Sequence, residues 1–158
     1  MNKPAHPIAA ESVIAPRYEQ DVYGWAMAQG AMLRARRFDA IDWDNVAEEI
    51  ETMGRSERRS LRSNITQIFV HMLKWDAQPE RRGRSWYLSI MNHRRQAARD
   101  LDENPSLKPY MEDIAVDALE DARFEAAKET GIDKSVFDRL DFAADDAFNR
   151  VYAPPEGD

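Results

Sequence analysis

The feature that most constrains the fold is a run of apolar residues at helical spacing in the middle of the chain. Large apolar side chains recur there at alternating intervals of four and three positions: Leu61, Ile65, Ile68, Met72 and Trp75. In an α-helix this spacing places them on one continuous face. Between positions 68 and 75 only His71 and Lys74 interrupt the apolar residues, so we expect this helix to lie at the centre of its domain.

The rest of the chain also favours helices. No stretch of six positions alternates apolar and polar residues with β-branched enrichment, so we predict no strands. We predict a single all-α domain, a bundle of about five main helices followed by short C-terminal helices. The main helices are expected over roughly 19–37, 42–53, 55–76, 85–101 and 109–130. Gly54 is expected to separate the second helix from the third, and Gly131 to cap the fifth.

Composition and the chain ends set the class of protein. The chain has 158 residues and no cysteine, which excludes disulfides, zinc–thiolate sites and iron–sulfur clusters. Residues 1–17 contain three prolines and are predicted to form an extended or mobile arm, residues 18–152 the helical domain, and residues 153–158 a frayed tail. We find no signal peptide and no apolar run long enough to span a membrane, and we expect a cytoplasmic protein.

Charge is distributed unevenly along the chain. Residues 54–99 contain eleven Lys and Arg but only three Asp and Glu, although the whole chain has a net charge of −7. The arginines could bind an anion such as nucleic acid, or they could pair with the acidic fifth helix. We favour internal pairing, and the net negative charge makes nucleic acid an unlikely partner.

The second and third predicted helices carry the strongest candidates for a catalytic site. His71 shares a polar stripe of the third helix with Asn64 and Gln67, so we expect it to be partly buried. Glu49 is predicted at the core edge of the second helix, beside the buried face formed by Val46, Ile50 and Met53. Glu49 is expected to pair across the two helices with His71 or with an arginine. Such a pair would be either a structural ion pair or, with His71, a catalytic pocket, and we favour the structural alternative.

The candidates for ligand binding lie nearby in the sequence. Lys74, Arg94 and Arg95 could contact an anion, and Trp75 and Trp86 could stack on a ring, although both tryptophans are better explained as core residues. We find no dinucleotide, phosphate-loop or nucleophile-elbow motif, and no metal motif. We therefore expect no cofactor and no metal. A site with one histidine and several carboxylates, at Glu48, Glu49 and His71, is the weakly supported exception.

Several stretches together resemble the bacterial family known as domain of unknown function 29. The similar stretches are residues 18–25, 33–39, 41–51, 53–59, 71–75, 78–80, 85–86, 94–95 and 104–107. The resemblance covers about residues 18 to 131 and implies a small all-helical bacterial protein. It brings no established activity, cofactor or catalytic residue. The family is expected to be richer in proline after Gly131, whereas residues 133–152 look helical here.

Three functions are compatible with these features, and whether the protein is an enzyme stays open. The first is a non-catalytic helical binding or interaction module, whose partner is an unknown protein, a small anionic ligand or a second copy in a homodimer. The second is a small-molecule or phosphoester-directed enzyme with a Glu49/His71 pocket. The third is a nucleic-acid binder that uses the arginine-rich segment 55–99.

Overall fold

A computed structural model describes residues 16–154, and within this range the chain forms six α-helices and no strand. The prediction of an all-α fold is therefore confirmed. The helices are α1 (Val22–Arg34), α2 (Trp43–Ala77), α3 (Arg84–Glu103), α4 (Met111–Thr130), α5 (Lys134–Phe137) and α6 (Ala144–Asn149). Most of the predicted arm (1–17) and of the predicted tail (153–158) lies outside the described residues.

The chain divides into two compact units, each with its own contacts. Unit 1 spans Met1–Thr52 and includes α1 and the first part of α2. Unit 2 spans Met53–Asp158 and includes the remainder of α2 and the helices α3 to α6.

The structure has four long helices where the sequence predicted five, because the predicted second and third helices are one. Gly54 lies inside α2, which continues through it for 35 residues in total. A glycine within a helix costs only about 1 kcal/mol relative to alanine, and the turns on both sides of Gly54 offset that cost. The other predicted helix end is confirmed, since Gly131 caps α4 in the left-handed conformation, with φ of 71°.

The core of unit 2 is built around the predicted apolar stripe. Four of its five side chains are fully buried, and Trp75 is 9 % exposed. Residues from the later helices pack against this stripe: Ile90 and Ala97 of α3, Ile114, Ala118, Ala122 and Ala126 of α4, Phe137 of α5, and Ala144 and Ala147 of α6. Alanines on α4 allow its backbone to approach the large side chains of α2 closely. The prediction that this part of α2 is central is confirmed.

The prediction of a buried Ile50 and Met53 is wrong. Ile50 is 64 % exposed and Met53 is 69 % exposed. The first part of α2 turns a different side towards the residues just before α1, the side that carries Glu49, whose carboxylate accepts a hydrogen bond from the Tyr18 hydroxyl. Apolar periodicity correctly indicates a helix here, but it does not show which side of the helix is covered.

Two glycine substitutions test whether Gly54 lies inside a helix and whether Gly131 ends one. Gly54→Ala is expected to raise the free energy of unfolding by about 0.5–1 kcal/mol, because a Cβ at this position meets no atom within 4 Å and alanine favours helix. Gly131→Ala is expected to lower it by about 1 kcal/mol, because alanine is strained at positive φ. Urea unfolding of both variants measures the two changes. A destabilised Gly54→Ala protein would contradict a continuous α2.

Candidate functional site

Glu49 and His71 do not form the predicted pair. Both lie on α2, separated by 22 positions, whereas side chains on one helix meet at separations of three or four. The partner of Glu49 is the Tyr18 hydroxyl, and this hydrogen bond raises the pKa of Tyr18 above its ordinary value. The prediction of a Glu49–His71 pair across two helices is therefore wrong, because those two helices are one.

His71 is held by the backbone of its own helix. Its Nδ1 lies 2.8 Å from the carbonyl oxygen of Gln67, which can only accept, so Nδ1–H donates and Nε2 keeps a lone pair. Burial lowers the pKa of His71 below the usual imidazole value, and the positive charge of Lys74 lowers it further, although the bond to Gln67 opposes this shift. His71 is therefore a neutral imidazole at pH 7, with Nε2 available as an acceptor or base.

A second histidine, His93 of α3, has a matching arrangement. Its Nδ1 lies 3.0 Å from Oδ1 of Asn64. The Nδ2 of Asn64 donates to Oδ2 of Asp100 at 2.9 Å, which orients the amide with its oxygen towards His93. Nδ1–H of His93 therefore donates, and its Nε2 also keeps a lone pair. Burial lowers the pKa of His93, and repulsion from a protonated His71 lowers it further.

We call His71 and His93 the histidine pair. Their acceptors, Gln67 and Asn64, are three positions apart on α2 and therefore lie on the same side of that helix. His93 is not among the site residues predicted from the sequence. It could have been found from its position three residues after the buried Ile90 and four before the buried Ala97, which places it near the inner side of α3.

Lys74 and Trp86, two predicted ligand contacts, meet beside the histidine pair. The ammonium nitrogen of Lys74 is 2.7 Å from Oε2 of Glu129 on α4 and 5.0 Å from the centre of the Trp86 ring. On the same side of α2, Gln67 donates to Glu125 of α4 at 2.9 Å. Lys74 is thus neutralised by a carboxylate of its own chain.

Trp75 and Arg94, two further predicted ligand contacts, belong to a different cluster. Arg94 donates to the carbonyl oxygens of Ala147 at 2.6 Å and Asp146 at 3.0 Å, so it binds the end of α6. The rings of Trp75 and Tyr152 pack edge to face at 5.3 Å. These contacts fasten the C-terminal part of unit 2 to α2 and α3. Arg95, by contrast, is exposed and donates to Asn92 of its own helix.

Internal pairing of the basic segment with the acidic helix is confirmed for two residues. Arg62 pairs with Asp121 at 2.6 Å and Asp117 at 3.5 Å, and Lys74 pairs with Glu129. All three carboxylates belong to α4, the helix that the sequence analysis named as the acidic partner.

Unit 1 contains a pair of antiparallel helices joined by a short 3-10 turn, Phe38–Ala40. Early in the pair, Tyr18 bonds to Glu49. Later, the indole Nε1 of Trp25 donates to Oδ2 of Asp42 at 3.0 Å, and Oε1 of Gln29 accepts from the Asp42 amide at 2.9 Å. Tyr18, just before α1, thus meets Glu49 of α2, whereas Trp25 and Gln29 of α1 meet Asp42, just before α2, so the two helices run antiparallel. Trp25 and Gln29 mark the inner side of α1, and Glu49 marks the inner side of α2.

A mostly apolar face remains exposed on this helix pair. It consists of Val22, Ala26 and Leu33 on α1 and of Trp43 and Ile50 on α2, and we call it the hairpin face. Consecutive residues of an α-helix are about 100° apart around its axis. Seen from the N-terminus of each helix, the residues of the hairpin face lie roughly 50–110° clockwise from the side that contacts the other helix. When two helices run antiparallel, an equal clockwise rotation from the inner side points to the same side of the pair. The residues of α1 and those of α2 therefore form one face.

The exposure of the hairpin face is high for side chains of this kind. The values are 50 % for Val22, 38 % for Leu33, 54 % for Trp43 and 64 % for Ile50. Within the described part of unit 1, the hydrophobic residues that are buried are Trp25 and Ile41. Clustered apolar exposure of this kind marks interaction surfaces.

The described residues offer no preformed metal site. Within residues 16–154 no three His, Asp or Glu side chains are arranged to hold a metal ion. None of the helices in this range is long and apolar enough to cross a membrane.

The fold and these two candidate sites define an all-α helical protein that carries an exposed apolar face and a pair of partly buried, neutral histidines. The family described as Domain of unknown function DUF29 matches residues 17–152, and the chain belongs to this family. No curated protein and no solved structure matched the chain in the corresponding searches.

The histidine pair predicts how stability depends on pH. Both histidines have lowered pKa values in the folded state, so the unfolded chain binds protons first as the pH falls. Their contribution to stability is complete above about pH 6.5 and decreases below it, by at most about 1.4 kcal/mol per pH unit for each histidine. Urea unfolding between about pH 7.5 and 5.5 measures this slope.

The matched control is a protein with both His71→Gln and His93→Gln. Glutamine does not titrate, so its free energy of unfolding is expected to fall less steeply over the same interval. An equal slope in the wild type and the double variant would contradict the assignment of two neutral, partly buried histidines.

Proposed function

We propose that this protein is a non-catalytic helical interaction module of the bacterial cytoplasm, and that its hairpin face binds a partner protein through a helix. The observation that carries this proposal is the exposure of Val22, Leu33, Trp43 and Ile50 on one side of an antiparallel helix pair. Two antiparallel helices leave a groove between them, and an amphipathic helix that lies in such a groove buries its apolar side.

The balance of burial in unit 1 supports this proposal. Burying apolar surface on association contributes about 25 cal/mol per Å². The free protein lacks this favourable free energy because these side chains stay in water. Among residues 16–52 of unit 1, the buried hydrophobic residues are Trp25 and Ile41, which form a small core. A third helix on the hairpin face would extend that core.

Catalysis at His71 is the second candidate, and the observation that favours it is the free Nε2 of a neutral imidazole. Such a nitrogen is suited to act as a general base near pH 7. The enzyme alternative is weakened, however, because Glu49 does not contact His71 and Lys74 already pairs with Glu129. A small-molecule or phosphoester-directed enzyme would therefore have to rely on the histidine pair.

Nucleic-acid binding through residues 55–99 has less support. Arg62 is paired with carboxylates of α4, and Arg94 is bound to backbone carbonyls. These arginines would have to exchange internal contacts for phosphates.

Site-specific photo-crosslinking tests the interaction proposal. A benzophenone amino acid is placed at Trp43 in the hairpin face, and in a control protein at Val116 of α4, which is 69 % exposed. After irradiation in the native cell, the probe at position 43 is expected to give a discrete adduct, because a partner covers that face. The probe at position 116 is expected to give none.

Ile50→Glu in the same probe protein supplies the second control. A charge in the middle of the hairpin face is expected to weaken partner binding by at least about 2 kcal/mol, about 30-fold, and so to remove the adduct. The proposal is contradicted if position 43 gives no adduct, if position 116 gives the same one, or if Ile50→Glu leaves it unchanged.

A further inference from the structure

We propose that the partner on the hairpin face is a second copy of this chain, related by a twofold axis that sets α1 of one copy against the unit 1 part of α2 of the other. This inference rests on the proposed function and identifies the partner that binds the hairpin face. It requires a face that is complementary to itself, because a twofold interface uses the same patch on both copies.

The charges of unit 1 meet this requirement. Residues 22–38, which contain α1, include three arginines and no acidic residue. Residues 43–52, the part of α2 within unit 1, include four acidic residues and no basic residue. A twofold axis that places α1 against α2 of the other copy brings these opposite charges together twice. Setting α1 against α1, or α2 against α2, would bring like charges together, and such repulsion disfavours an interface.

The size of the face also suits a homodimer. Its five side chains expose together on the order of 500 Å² of apolar surface. A standard interface buries about 800 Å² on each partner, and homodimer interfaces are about 65 % apolar, so about 520 Å² of apolar surface is needed per copy.

The architecture that results is a common one. Two helix pairs that join through one face form a four-helix bundle, in which both apolar faces lie at the centre. Small helical units without cysteine or metal ligands often depend on association for stability. The described part of unit 1 contains neither a cysteine nor a three-ligand metal group.

Analytical ultracentrifugation with paired charge reversals tests this inference. One protein carries Arg34→Glu and Arg37→Glu on the basic segment, and the other carries Asp44→Lys and Glu51→Lys on the acidic segment. The wild type is expected to be a dimer at about 20 µM in low salt. Each reversed protein is expected to dimerise at least about tenfold more weakly, because like charges then face each other.

The decisive sample is the equimolar mixture of the two reversed proteins. In the mixture the basic and acidic segments are again complementary across the dyad, so dimerisation is expected to recover to within about threefold of the wild type. A matched control carries Arg139→Glu and Asp113→Lys, two exposed positions of unit 2, and is expected to dimerise like the wild type. Circular dichroism confirms that each variant is folded.

The outcomes separate this inference from the proposed function. A monomeric wild type at about 200 µM, or a mixture that stays monomeric, overturns the second copy as partner. If photo-crosslinking at position 43 then still gives a discrete adduct with a mass other than that of two chains, the interaction module stands with a different partner. If the adduct is also missing, the proposed function fails as well.

Discussion

The fold of unit 2 depends on the burial of one segment of α2, the apolar stripe between Leu61 and Trp75. Its second half, residues 68–75, is apolar except for His71 and Lys74, so water must be excluded from several sides of it at once. Helices α3 and α4 cover two of these sides, and the short helices α5 and α6 add Phe137 and Ala147. The chain after α4 is held in place by polar contacts, such as Arg94 with the end of α6 and Arg150 with Asp76.

The same segment also carries polar side chains into the interior, and this gives the histidine pair its chemistry. A buried imidazole must satisfy its N–H, and here the Gln67 carbonyl and the Asn64 amide do so without a carboxylate. Neither acceptor is charged, and for His71 the loss of hydration on burial outweighs the opposing effect of the Gln67 hydrogen bond, so the pKa values of both rings are lowered. Each ring therefore keeps a lone pair on Nε2, one on α2 and one on α3. This arrangement fits a purely structural role of the two histidines, and it also fits a role as proton acceptors.

Local sequence patterns predicted most of the elements but not the partners of the candidate site residues. The stripe of α2, the Gly131 cap and the pairing of the basic segment with the acidic helix α4 followed from spacing and charge. The break at Gly54 was wrong because an isolated glycine costs less than the flanking turns contribute. The partner of His71 was missed because a backbone carbonyl one turn earlier leaves no trace in side-chain patterns. The exposure of Ile50 was missed because periodicity cannot tell a covered stripe from an open one.

An apolar surface that is buried within one chain is protected at any protein concentration. One that is buried by association is protected only when the concentration is high enough for the copies to associate. Hydrogen exchange measured at about 1 and 100 µM protein tests this difference most directly. We predict that amides of residues 61–75 exchange slowly and equally at both concentrations, because the core of unit 2 protects them. Amides of residues 22–34 and 43–52 should exchange more slowly at the higher concentration, because a second copy covers the hairpin face. Equal protection of these two segments at both concentrations would contradict the account.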